Sequence, residues 1–239
     1  MNPHPLLAAL LPLRLLAGAP ARAATTERWL PDPKPRLFVL TDIANEPDDE
    51  ESLVRLLVYA NEFALEGLVA TTSTWVRNTT RVDLIQRHLG AYAGVHASLA
   101  KHAPGVPTAD ELLAVTATGQ PRYGLAAVGE GRTTAGSRLL LAAARRVEER
   151  PLWVSVWGGA NTLAQALVDA RQQLNPEELA RVVSQLRVYS ISDQDDAGPW
   201  LRGEFTNLCY VVRQHPYDTA THIDEDVSEP RDVEPPRAL

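Results

Sequence analysis

The sequence predicts an α/β protein built on a mostly parallel sheet with flanking helices. Three observations carry this expectation. Strand-like and helix-like segments alternate along the chain of 239 residues, with no internal repeat. The strand-like runs, such as Arg36–Thr41 and Leu152–Trp157, are nearly continuous in apolar residues, as in sheets covered on both faces. The helix-like runs repeat apolar residues at spacings of three and four.

Residues 1–23 read as a secretory signal. Leu6–Ala19 is apolar apart from Arg14, and Ala21-Arg22-Ala23 fits a small-residue cleavage site. A secreted or periplasmic location is therefore expected. The apolar run is too short and too interrupted for stable membrane insertion. Residues 24–35 form a linker rich in Pro and charge, and Arg36–Thr41 is the first strand. In the next segment Asp48 or Asp49 can cap a helix whose apolar face is Leu53, Leu56, Leu57 and Ala60. Gly67–Thr72 is a second strand. Helices follow at Val82–Val95 and Ala109–Thr118, then a glycine-bearing irregular stretch, Gln120–Thr134.

A strong helix spans Ser137–Arg150 and stops at Pro151. The strand Leu152–Trp157, the sharp turn Gly158-Gly159 and a helix over Asn161–Ala170 come next. Asn175-Pro176-Glu177-Glu178 is a helix start, with Asn as cap, Pro in the first turn and Glu three residues beyond the cap. Arg187–Ser192 is a strand that leads into an acidic loop, Asp193–Gly198, and Asn207–Val212 is a further strand. The α/β domain thus covers 36–212. Residues 213–239 are acidic, Pro-bearing and poor in apolar periodicity, which predicts a disordered tail.

Composition narrows the function. A hydrophobic content of 45% is enough to bury a core. A net charge of -7 argues against nucleic acid as a partner, because such a partner needs a basic face. The single cysteine, Cys209, excludes an internal disulfide and a Cys-based zinc site. Its apolar surroundings predict a buried thiol, and Trp153 is likewise expected in the core.

The chemistry concentrates at strand ends. Asp42, Glu46, Asp48 and Asp49 fall within eight positions just past the first strand. Trp157–Asn161, Asp193–Asp196 and, more weakly, Ser73–Trp75 follow other strands. In a parallel sheet these junctions share one rim and can converge on a single site. Like charges at this density require compensation, and calcium suits them, with six to eight oxygen ligands. A nearby carboxylate can take the proton of a metal-bound water, which then attacks a sugar carbon. Capping and helix-dipole stabilisation by Asp48 and Asp49 is the plainer alternative. One cap leaves two further acids of the loop unexplained.

Leu40-Thr41-Asp42 followed by Asp48-Asp49 resembles the aspartate signature of the calcium-dependent nucleoside hydrolases. Thr41–Asp49, Gly67–Trp75, Leu152–Thr162 and Tyr189–Asp196 together resemble an exported bacterial branch described as nucleoside-hydrolase-like and sometimes labelled cellulose-binding. The resemblance implies a nucleoside-hydrolase-like fold over about Arg36–Val212, Ca2+ as cofactor, a small sugar or nucleoside-like substrate, and a possible homo-oligomer. It makes Asp42 a calcium ligand and general base, Asp49 a second ligand, and Asp48 a binder of sugar hydroxyls. The Trp157 carbonyl lies near the metal. Thr74 stands where the hydrolases place a sugar-binding Asn. Asn161 either starts its helix or touches the sugar, and its capping preference favours the first. Asp193, Asp195 and Asp196 lie near the rim where substrate contacts occur. Asn45-Glu46-Pro47 lengthens the loop relative to true nucleoside hydrolases, whose short loop carries a Gly. The family's further calcium-ligand aspartate, from a later segment, has no recognisable counterpart here. The expected activity is hydrolysis of N-glycosidic or related sugar bonds. The alternatives are a secreted non-catalytic carbohydrate-binding protein and a truncated, inactive remnant.

Overall fold

The computed structural model describes residues 33–44 and 46–213. The expected signal at 1–23, most of the linker, and the expected tail beyond Arg213 lie outside the described residues. Six strands form one all-parallel sheet in the order β3-β2-β1-β4-β5-β6. They are β1 (Arg36–Thr41), β2 (Ala64–Ala70), β3 (Thr116–Thr118), β4 (Leu152–Val156), β5 (Leu186–Ser190) and β6 (Cys209–Val212). Seven α-helices connect them: α1 (Pro47–Val58), α2 (Val82–Leu99), α3 (Ala109–Ala114), α4 (Ala135–Arg145), α5 (Asn161–Gln173), α6 (Pro176–Gln185) and α7 (Ala197–Glu204). The chain begins in the middle of the sheet, builds to one edge, returns, and builds to the other. The order therefore reverses between β1 and β4, which opens a crevice at their carboxyl ends.

Alternation along each strand divides the core in two. Phe38 and Leu40 face one way, with Val69, Val154, Val156 and Val188, against α4, α5, α6 and α7. Val39 faces the other way, with Leu68 and Ala70, against α1, α2 and α3. The helix starts follow their local chemistry. Thr108, Thr134 and Asn175 each complete a reciprocal capping box, the last as expected from the sequence. At the amino end of the sheet, the fully buried Arg36 makes a two-pronged pair with Glu66, at 2.6 and 2.8 Å.

Several expectations need correction. β3 and α7 occupy stretches read as the end of a helix and as loop. Three-residue β3 is too short for periodicity to show, and α7 carries Gly198-Pro199 near its start, both poor helix formers away from the first turn. Helix α4 ends at Arg145, well before Pro151, because Arg146 turns to an extended conformation, with ψ of 133°. Neither Asp48 nor Asp49 caps α1. Glu46 occupies the cap position without a side-chain bond, Pro47 follows, and the two Asp lie in the first turn.

Trp153 and Cys209 are exposed rather than buried. Helices α1–α3 cover one face of the sheet only around β1–β3, so that face of β4–β6 is open among the described residues. Trp153, Tyr189 and Val211 stand on it, 43%, 37% and 50% exposed, and alternate with buried Val154 and Val188. No described helix is long and apolar enough to cross a membrane.

Candidate functional site

The crevice at the strand reversal holds the acidic loop. Asp42, Glu46, Asp48, Asp49 and Gln194 line one small pocket there. Asp42 follows β1 directly. Asp49 sits one turn into α1 and points back to the same place, where its carboxylate accepts from the Thr41 hydroxyl. That hydroxyl in turn accepts from the Ile43 backbone N–H at 3.1 Å. Asp42 and Asp49 are each 8% exposed. Asp48 and Glu46 face solvent.

Glycine closes the crevice from the β4 side. A Cβ on Gly158 would stand 2.7 Å from the Asp42 Cβ, so the chain passes Asp42 at a distance only glycine allows. On the opposite side of the loop, Ala44 has φ of 127°, a region that favours glycine. Strained backbone of this kind gathers at binding loops.

Burial dominates the electrostatics. It raises the Asp42 carboxyl, against a lowering hydrogen bond from Ser73. It pushes Asp49 up to about 7, with the Asp42 charge adding to the rise. Glu46 is raised as well, first by burial and then by Asp48 and Asp42. Among the described residues, none of these four carboxylates has an ion-pair partner. Hard oxygen donors with raised affinity for positive charge fit a cation such as calcium. Among the described residues, however, no three side chains of His, Cys, Asp and Glu converge to hold a metal ion. Of the four acids at this pocket, two are buried, Asp42 and Asp49.

The other expected site residues separate from this pocket. The Trp157 carbonyl is at the rim, where it accepts from the Gln194 amide at 2.7 Å. Thr74 is tied to the same loop by its backbone N–H, which donates to the Gln194 main-chain oxygen at 2.7 Å. Asn161 is fully buried. It is the first residue of α5, but its side chain caps nothing and donates instead to Thr72 Oγ1 and the Arg122 carbonyl. The capping is done by Asp195, whose carboxylate accepts from the backbone N–H groups of Ala160, Asn161 and Ala197, each at 3.1 Å. Burial lifts Asp195 to about 6 despite these three bonds. Asp193 pairs with Arg202 at 2.6 and 2.9 Å, and Asp196 accepts from the Leu125 N–H at 2.7 Å. The second acidic loop is thus a set of structural clamps, and its carboxylates are turned to protein partners. What it contributes to the pocket is Gln194, a neutral residue without the charge signal that marked its neighbours. Glu46 joins the pocket from inside the first acidic cluster.

The fold is thus an α/β domain whose sheet reverses at β1/β4 and carries an aspartate loop at that point. Residues 36–234 match the family described as "Cellulose-binding Sde182, nucleoside hydrolase-like domain", and the chain belongs to that family. The chain is also similar to a solved structure, a nucleoside hydrolase-related hypothetical protein from Saccharophagus degradans that is associated with carbohydrate metabolism. The two are 43% identical, with a TM-score of 0.72 over 73% of this chain and 43% of the other. This chain therefore corresponds to less than half the length of that protein. No curated protein matches it.

Proposed function

We propose that this domain binds a sugar or nucleoside-like ligand at the Asp42–Asp49 pocket and hydrolyses an N-glycosidic or related sugar bond with calcium. The observation behind this reading is the pair of buried carboxylates, Asp42 and Asp49, without a cationic partner, beside exposed Asp48 at the strand reversal. Asp42 and Asp49 would hold the ion. Bound there, calcium would supply positive charge and an acidified water. Asp42, its carboxyl raised by burial, is the carboxylate placed to take that proton. Asp48 faces solvent at the start of α1, where its carboxylate is free to accept from sugar hydroxyls. Thr41 fixes the Asp49 carboxylate through its hydroxyl. Export is part of the proposal and rests on the leader at 1–23. N-terminal sequencing of the protein from the medium or periplasm tests it.

The chemistry is tested by product release from nucleosides and plant-type oligosaccharides, with and without a chelator. Asp42→Asn is expected to lower kcat by roughly 10²-fold or more, the usual worth of a positioned base. Equal turnover in the variant rejects Asp42 as the base.

A second reading is a carbohydrate-binding protein without turnover. It is favoured by the lack, among the described residues, of three converging His, Cys, Asp or Glu side chains, and by the words "cellulose-binding" in the family description. Retention on a glycan matrix with no product released from any substrate supports it over the first.

A further inference from the structure

Gln194 has a role at the pocket that its neighbours conceal. Its main-chain oxygen accepts from the Thr74 N–H and its Nε2 donates to the Trp157 carbonyl, each at 2.7 Å. A carbonyl only accepts, so the amide nitrogen must face Trp157 and Oε1 must point the other way. The orientation of the amide is therefore set by chemistry. Oε1 is buried and accepts from nothing. Buried amide oxygens nearly always have a partner. The residue also lines the pocket with Asp42, Glu46, Asp48 and Asp49, all of them carboxylates. An unpaired amide oxygen on a residue that lines a pocket of carboxylates is satisfied by a cation, and calcium takes amide oxygens as well as carboxylates.

We propose that Gln194 supplies a third, neutral oxygen donor to the divalent cation held by Asp42 and Asp49, while its amide nitrogen holds the Trp157 carbonyl at the rim. This rests on the cation reading of the pocket given above.

The test is calcium binding by calorimetry, with terbium luminescence as a second readout, on the full chain and on Gln194→Leu and Gln194→Glu. Gln194→Leu is expected to bind at least tenfold more weakly. Gln194→Glu, which keeps an oxygen there and adds charge, is expected to bind at least as tightly as the unaltered protein. Equal weakening in both variants makes Gln194 a brace for Trp157 only and overturns the proposal. Unchanged affinity in both overturns it too. No binding to the unaltered protein at millimolar calcium removes the cation reading itself, and this proposal with it. Should Gln194→Leu fail to fold, Gln194→Glu still decides, since weaker binding there counts against the proposal.

Discussion

Asp49 and Asp195 are buried aspartates whose surroundings raise their carboxyls well above the ordinary range. Both are buried, and both hold their proton to higher pH in the folded chain, to about 7 and about 6, against 3.8 ordinarily. Well below pH 3.8 both are protonated whether the chain is folded or not, and neither contributes to the pH dependence. As pH rises toward 6 and 7, the unfolded chain releases its protons first. The folded state then binds more protons, and stability falls with rising pH. These two groups therefore make the cation-free protein less stable at pH 7.5 than at pH 5. An effect on the order of 2 kcal/mol, or roughly 4–8 °C in Tm, is expected from shifts of this kind. Asp49→Asn removes the charge while keeping the shape. It should flatten the profile and raise the Tm of the cation-free protein at pH 7.5. Thermal melts across that range in chelator check this, and a profile unchanged by Asp49→Asn counts against it.

Among the elements, α5 depends most on a distant residue. Its own sequence offers no cap: Ala160 stands at the cap position and makes no side-chain bond. Asp195, from the loop after β5, accepts its first N–H groups and at the same time holds the start of α7 through Ala197. The same carboxylate lies against Gly159, where a Cβ would approach its Oδ2 to 2.5 Å. One side chain thus ties two helix starts to the Gly158-Gly159 turn beside Asp42. Asp195→Ala loses a cap and strands buried amides, at a cost of roughly 2–4 kcal/mol. Asn175→Ala, at the self-contained capping box of α6, is expected to cost about 1 kcal/mol. Urea unfolding of the two variants measures the difference, and equal costs contradict the clamp.

At the scale of the whole fold the described residues are asymmetric: one face of the sheet is covered from end to end by α4–α7, and the other, among these residues, only around β1–β3. Parallel sheets ordinarily bury both faces. Trp153, Tyr189 and Val211 consequently form an apolar strip on the open part. Trp153 carries little of the fold's stability there. Trp153→Thr is expected to cost less than about 1 kcal/mol, whereas Leu163→Ala, at a fully buried position of α5, should cost about 2–5 kcal/mol. Denaturation of the two variants decides this, and comparable losses would mean that Trp153 is covered in solution.

The alternation of strands and helices, the apolar runs of β1 and β4, the capping box of α6 and the acidic loop at Asp42–Asp49 were all determined by the sequence alone. Each is a local pattern, set by period, cap chemistry or charge density within a few residues. The convergence of the strand ends was also legible, because a parallel sheet has only one carboxyl rim. Only the tertiary structure decided which residues at that rim are available. Asp193, Asp195 and Asp196 resemble Asp42, Asp48 and Asp49 in sequence, yet they meet Arg202, the start of α5 and the Leu125 amide, partners from other segments. Gln194 lies among them without charge, and only the fold brings it to Trp157 and the acidic pocket. The exposure of Trp153 and Cys209 has the same cause. A side chain's apolar character does not say whether a helix covers its face of the sheet, and that is set by the direction in which the chain crosses from strand to strand.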